Sequence, residues 1–487
     1  MIDIMTSIHD RFSIEFKVGF VARRKQRMND FSVYMWIFLP NSLDINPQTY
    51  TKSSFYRDVK SNVRLITPKF LLREIVDGQA IPFRNMEKSF IMLASSPTRT
   101  AISEYEYQIK MFVAIVKSAL RDELNHIRSL RFDRDIEELC REYIKNVDAI
   151  ITRFHRLRSV INTPSVTKEV LNCYFSGDEY LCNLIDQQTL KLIRFLEDQP
   201  AGKYDGLIDS LADMVRRGQN YCKQMGYGAL TVGDRKHNRN LVFRYGVLKK
   251  YIESDLFLNV PKKRDGVVVE QLYYSIAAGL SMIFATIVSF AFQQRYGNFT
   301  IPLFIALVVS YMLKDRIKEL MRFYFAYRVG SKYFDNKATI SIKEQPIGWM
   351  KEGMDFLSEK KVPREVMQIR NREPLLPVEN RLSDEKIILY RKAVHIDRFK
   401  LDRYNNYSTN GINDIIRLHV NSLIQKMDNP QVPLCMLNDE GHTETVDCDK
   451  VYFVNIVLQS QHEDNIMYKR FRVAVSRSGI DSIDEIK

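Results

Sequence analysis

Charge is missing from two stretches of this chain. Residues 271–294 and 296–313 hold no Asp, Glu, Lys or Arg, and Arg295 alone separates them. A hydrocarbon core about 30 Å thick needs roughly 20 apolar helical residues, so both runs read as spans. Catalytic signatures are missing as well. There is no G-x-x-x-x-G-K-[ST], which excludes a P-loop phosphate cradle, and neither H-E-x-x-H nor G-x-S-x-G occurs. Gly226-Tyr227-Gly228 with Gly233 misses the dinucleotide-binding spacing and follows a helical pattern. Nothing calls for a cofactor.

Cysteine is sparse. The six residues Cys140, Cys173, Cys182, Cys222, Cys435 and Cys448 show no C-x-x-C spacing. Cys140, Cys182 and Cys222 fall on predicted helices and read as small core residues in a reducing compartment. The N-terminal segment carries Asp3, Asp10 and Glu15 without a long apolar core, unlike a cleavable signal peptide, so the first span is expected to act as the insertion signal.

What is present builds outward from the two runs. Ile276, Leu280, Ile283, Phe284, Ile287, Val288, Phe290 and Phe292 line the first, each favouring insertion by roughly 0.3–0.6 kcal/mol. Pro302 sits in the first turn of the second, where a missing N–H does no harm. Arg295-Tyr296-Gly297-Asn298 supplies the turn. The small residues Ala277, Ser281, Ala285 and Ser289 recur every four positions and would admit a close neighbour. That neighbour is expected to be the second span, through Ala306 and Ser310, with a homo-oligomeric contact as the alternative.

Basic residues flank the pair. Arg235, Lys236, Arg239, Lys249, Lys250, Lys262, Lys263 and Arg264 precede it, and Lys314, Arg316, Lys318, Arg322, Arg328 and Lys332 follow. By the positive-inside rule both flanks, and so both termini, are expected in the cytoplasm, facing anionic headgroups. The chain's formal net charge of +13 is concentrated before and around the spans.

Elsewhere the periods change. Phe12, Ile14, Phe16, Val18 and Phe20 alternate with polar residues, and 31–39 is apolar on both faces; together they predict an antiparallel hairpin. Arg23, Arg24, Lys25 and Arg27 lie between the two runs, which keeps nucleic acid open as a partner. Helical stripes follow over 101–257, including Ile136, Cys140, Tyr143, Val147, Ile150, Phe154 and Leu157. Residues 412–426 are predicted helical from Ile412, Ile415, Ile416, His419 and Leu423, with His419 as a satisfied core residue. Residues 386–395, 451–458 and 467–475 are predicted strands. His442, Glu444, Asp447, Cys448 and Asp449 form the densest polar cluster, but its turn context favours an exposed edge over a metal site.

The expected fold class is therefore mixed: a two-helix transmembrane hairpin, a cytoplasmic N-terminal β-hairpin with a helical bundle, and a C-terminal α+β domain. The expected division is 1–98, 99–260, 267–330, a Pro-rich linker over 331–380, and 381–487. The function expected is an integral membrane protein whose cytoplasmic domains bind, sense or scaffold a cytoplasmic protein partner. The alternatives are a membrane-anchored enzyme with a non-contiguous active site and a nucleic-acid-linked membrane effector. A pocket uniting His or acidic side chains with a raised carboxylate pKa would favour the enzyme.

Overall fold

The computed structural model describes all residues except Met1, 24–25, 78–80, 201, 298–299, 325–332, 372–384, 405–406, 408, 440 and 487. Arg24, Lys25, Asn298, Arg328, Lys332 and the linker prolines Pro374 and Pro377 thus lie outside the described residues. The fold is mixed α/β, in two compact units. One comprises 1–64, 258–406 and 410–487; the other comprises 65–257 with 407–409.

Along the chain, β1 (Ile2–Asp10), β2 (Ser13–Val21) and β3 (Met28–Pro40) lead to α1 (Lys52–Asp58) and β4 (Val59–Leu65). Seven helices follow: α2 (Leu72–Val76), α3 (Ile81–Ser95), α4 (Arg99–Ser129), α5 (Asp133–Ile161), α6 (Lys168–Glu197), α7 (Asp205–Met225) and α8 (Arg235–Ile252). Then come β5 (Lys262–Arg264), α9 (Val267–Tyr296), α10 (Ile301–Tyr324), β6 (Asn336–Ile342), β7 (Gln345–Leu357), α11 (Arg364–Arg370) and β8 (Glu385–Asp397). Past a short helix at Arg398–Arg403, β9 (Gly411–His419), β10 (Gln431–Leu437), β11 (Thr443–Asp449), β12 (Tyr452–His462), β13 (Asn465–Ser476) and β14 (Gly479–Ile486) complete the chain.

The β-rich unit is a four-stranded sheet, β1-β2-β9-β4, facing an eight-stranded one, β14-β13-β12-β3-β8-β7-β6-β5, with β10-β11 as a separate ribbon. The hairpin expected from 12–22 and 31–39 does not form. β2 pairs with β1 and β9, whereas β3 lies between β8 and β12 in the other sheet. The apolar content of β3 on both faces explains the placement. Phe31 meets Phe20 of the small sheet at 5.3 Å, while Trp36 and Phe38 pack with Val362 and Val366 on the opposite side. A strand covered on both faces belongs at the middle of a sheet.

The division expected at 331–380 and 381–487 also gives way. Strands β6 and β7 occupy the supposed linker, burying Ala338, Ile340, Ile347, Met350 and Met354. Its two described prolines stand at element boundaries, Pro346 beside the β6–β7 turn and Pro363 at the N-cap of α11. N- and C-terminal strands share the same sheets, so neither end forms a domain of its own. Residues 412–419 form β9 rather than a helix. Ile412 and Ile416 are four apart, a spacing that suits one face of a helix and one face of a strand equally. Asn413 and Asp414 between them are buried too, as in a strand covered on both sides.

In the helical unit the 3.6-residue stripes become buried faces. Ile136, Cys140, Tyr143, Val147, Ile150, Phe154 and Leu157 of α5 are all buried. Phe154 stacks between Phe112 of α4 and Tyr174 of α6, with centroids at 5.8 and 5.1 Å. Asp133 and Asp135 occupy the first turn of α5, where they complement the helix dipole.

Candidate functional site

α9 and α10 pack antiparallel. Ala277, Ser281, Ala306 and Ser310 are their buried positions, and the Ser310 hydroxyl donates to the Ala285 carbonyl at 3.4 Å. Ala285 and Ser289 are half-buried. Small side chains let the two backbones approach. The larger residues point away: Leu280, Ile283, Ile287 and Phe290 of α9 and Ile301, Phe304 and Ile305 of α10 are exposed.

Only α9 is long and apolar enough to cross a membrane among the described residues. Its uncharged residues 271–294 rise about 36 Å at 1.5 Å each. The second span expected from 296–313 does not survive as drawn. Tyr296 ends α9, and α10 begins only at Ile301, so the helix has residues 301–313 before Lys314, about 20 Å of rise.

The basic residues divide between the units. Arg235, Lys236, Arg239, Lys249 and Lys250 lie exposed on α8, and Lys262, Lys263 and Arg264 on β5. Lys262 pairs with Glu352 at 2.7 Å and Arg264 with Glu270 at 2.9 Å. On α10, Arg316 is exposed and Lys318 half-buried; Lys314 covers the Tyr311 ring at 3.9 Å, and Arg322 covers Tyr274 at 4.7 Å. Arg23 is paired with Glu463 at 2.7 Å and Arg27 with Asp397 at 3.7 Å, which leaves less of that loop for phosphates.

The chemistry gathers elsewhere, in the helical unit. A pocket of about 370 Å³ opens between α5, α6 and α7, lined by His155, Cys182, Asp186, Arg217, Tyr221 and apolar neighbours that include Ile151 and Met214. Beside it lies the fully buried Asp178. Its Oδ2 accepts hydrogen bonds from the Tyr221 and Tyr227 hydroxyls at 2.8 and 2.9 Å. Its Oδ1 lies 3.0 Å from His155 Nε2, whose proton it accepts, and 3.9 Å from Cys182 Sγ. Tyr221 stacks on the His155 ring at 4.1 Å, so the imidazole is held by face and by edge.

Four shifted protonation equilibria mark the site. Burial raises the Asp186 carboxyl to about 7, and no hydrogen bond reaches it among the described residues. Helix α7 closes over it at Gly218, where a Cβ would come within 2.8 Å of Asp186 Oδ1. The Cys182 thiol is pushed up by its contact with the Cys222 thiol, by burial and by the Asp178 charge, in that order. Burial, with the Asp178 charge behind it, also raises Tyr221 and Tyr227, which keeps both phenols protonated as donors. Arg244 of α8 grips Glu179 through two 2.5 Å bonds, fixing α6 one residue from Asp178.

No family model, curated protein or solved structure matches this chain. The site stands on its own chemistry. The polar cluster around His442 and Glu444 lies on the exposed β10–β11 ribbon. Among the described residues, His155, Asp178 and Cys182 are instead the metal-ligating types that converge. Asp178 and Cys182 are an i,i+4 pair on one helical face, a signal present in the sequence; the approach of His155 from another helix is not. His419 is placed on β9, sharing a hydrogen bond with Ser13 at 2.8 Å.

Proposed function

We propose that this protein is a membrane-anchored binding module. α9 spans the bilayer from the cytoplasmic side, α10 packs back along it, and both chain ends stay in the cytoplasm. The helical unit takes a small ligand in its pocket. The observation that carries the anchoring is the uncovered surface of α9. Ile283, Ile287 and Phe290 are each more than half exposed on a helix that buries only Ala277 and Ser281. Such a surface in water favours aggregation; in lipid it is at home.

Charge supports the orientation, since Arg295 is the one basic residue near the turn while both flanks are rich in Lys and Arg. Lys314 and Lys318 on α10 snorkel towards the cytoplasmic headgroups along their aliphatic stems. The pocket supports a ligand site, and because it unites an oriented histidine with a carboxyl raised to about 7 it also meets the condition stated for the membrane-anchored enzyme, which stands as the second reading.

Alkaline extraction of membranes tests the anchor. The parent chain is expected to stay in the pellet, and Ile283→Arg, which costs roughly 3 kcal/mol at mid-membrane, to shift it towards the supernatant. Recovery of the unaltered chain as a monomer without detergent would refute the anchor. For orientation, a cysteine placed at Gly297 in a chain without its native cysteines should react with an impermeant maleimide only from the non-cytoplasmic side.

A further inference from the structure

We propose that the helical unit binds one divalent ion of the zinc class through His155 Nε2, Asp178 Oδ1 and Cys182 Sγ, with a fourth position open to the pocket. This deepens the reading of the pocket as a ligand site and rests on it.

The geometry comes first. The three donor atoms all lie within 4.8 Å of one another, with Oδ1 3.0 Å from the nitrogen and 3.9 Å from the sulfur. Metal–ligand bonds of about 2.0–2.3 Å in a tetrahedron place donors about 3.3–3.8 Å apart, so small side-chain adjustments suffice. The ligands sit on rigid supports: Asp178 and Cys182 are one turn apart on α6, and His155 comes from α5.

The shell around these donors has the organisation of a ligand set. Asp178 turns Oδ2 to the two tyrosine hydroxyls and presents only Oδ1 to the histidine and cysteine. Hydrogen bonds that aim a ligating carboxylate are what metal sites require of their surroundings. Asp178 and Cys182 are fully or almost fully buried and His155 is partly covered, which separates this group from surface carboxylates that gather by chance. A thiolate and a carboxylate together offset the charge of a divalent ion.

Donor type selects the ion. Sulfur and imidazole favour zinc and its neighbours, whereas calcium and magnesium take oxygen. Three protein ligands with one position left open is the arrangement of a reactive rather than a sealed site, and Asp186 lines the pocket onto which that position opens. On binding, the Cys182 thiol releases one proton to solvent as its sulfur bonds the metal. The imidazole hydrogen moves from Nε2 to Nδ1, freeing the Nε2 lone pair.

The test uses the detergent-solubilised full chain, stripped with chelator and titrated with Co²⁺. The expected result is one equivalent bound, a thiolate-to-cobalt charge-transfer band, and displacement by Zn²⁺. Cys182→Ala should abolish the band, and Tyr221→Phe should weaken binding about 10–100-fold while leaving the band in place at saturation. Cys435→Ser and Cys448→Ser, on the separate β10–β11 ribbon, should keep both band and stoichiometry. No band from the folded parent chain, or a band that survives Cys182→Ala, would overturn the proposal. Far-ultraviolet circular dichroism establishes folding for each variant. His155→Ala provides a second route, expected to lose at least about tenfold in Co²⁺ affinity, and unchanged affinity there would also overturn it. Titration with an unrelated panel of small organic ligands separates the two readings: failure of Co²⁺ alone refutes the metal, and failure of every ligand refutes the pocket.

Discussion

Replacing Asp186 with Asn should make the helical unit more stable at alkaline pH and leave it unchanged in acid. In the folded chain the carboxyl is raised from 3.8 to about 7 by burial, with no hydrogen bond in return among the described residues. A folded-state pKa above the unfolded value means that the native state holds its proton more tightly. Stability on this account is greatest below about pH 4, falls as pH rises between about 4 and 7, and carries the full penalty above that. Three pH units at 1.36 kcal/mol each would give about 4 kcal/mol. Asp186 retains some contact with solvent, and halving for that screening leaves about 2 kcal/mol. Asn keeps the shape that Gly218 accommodates and removes the charge. Hydrogen exchange of α6 and α7 peptides, comparing parent and variant at matched pH with chelator present, should show about thirtyfold more protection for Asp186→Asn at pH 8 and none extra at pH 4. A difference that does not change with pH, or a parent more protected at pH 8, would refute the reasoning.

Two further predictions concern the β-rich unit, which holds both tryptophans, Trp36 and Trp349, so that their fluorescence reports its unfolding. Lys392 of β8 and Asp414 of β9 form a fully buried ion pair joined by the Ser61 hydroxyl. Lys392→Met should therefore cost about 3–5 kcal/mol in a denaturant titration, and the double variant Lys392→Met with Asp414→Leu should recover most of it. At Gly411 a Cβ would lie 1.8 Å from the Phe20 carbonyl, so Gly411→Ala must push β9 from β2, at a cost of about 3 kcal/mol in the same titration.

The helices over 99–252 were legible because their signal is local: a stripe such as Ile136 to Leu157 needs no distant partner. The sheets were not. β3 finds its neighbours at Glu385–Asp397 and Tyr452–His462, and no pattern within 28–40 names them. Ile412 and Ile416 misled because an interval of four satisfies both periods. The apolar runs are plain in the sequence, but the second gives a shorter helix than its length implies, because Tyr296 still belongs to α9 and α10 begins only at Ile301. The pocket was the hardest to see. The burial of Cys182 matches the small core residue its helical pattern predicts, yet its meeting with His155 depends on how α5 lies against α6. The His442 cluster stands out in the sequence because its members are neighbours, whereas Asp178 and Cys182 lie 23 and 27 positions from His155.

The eight-stranded sheet has a consequence for biogenesis. β3 leaves the ribosome hundreds of residues before β12, the strand that must lie beside it. During that interval α4 to α8 can assemble from neighbouring segments. The central strand meanwhile waits with both faces bare. Closing contacts over such long loops is slow, and uncovered strands of this kind invite aggregation. Completion of the β-rich unit is thus a late event, and a chaperone holding the nascent N-terminal strands would have its longest engagement there.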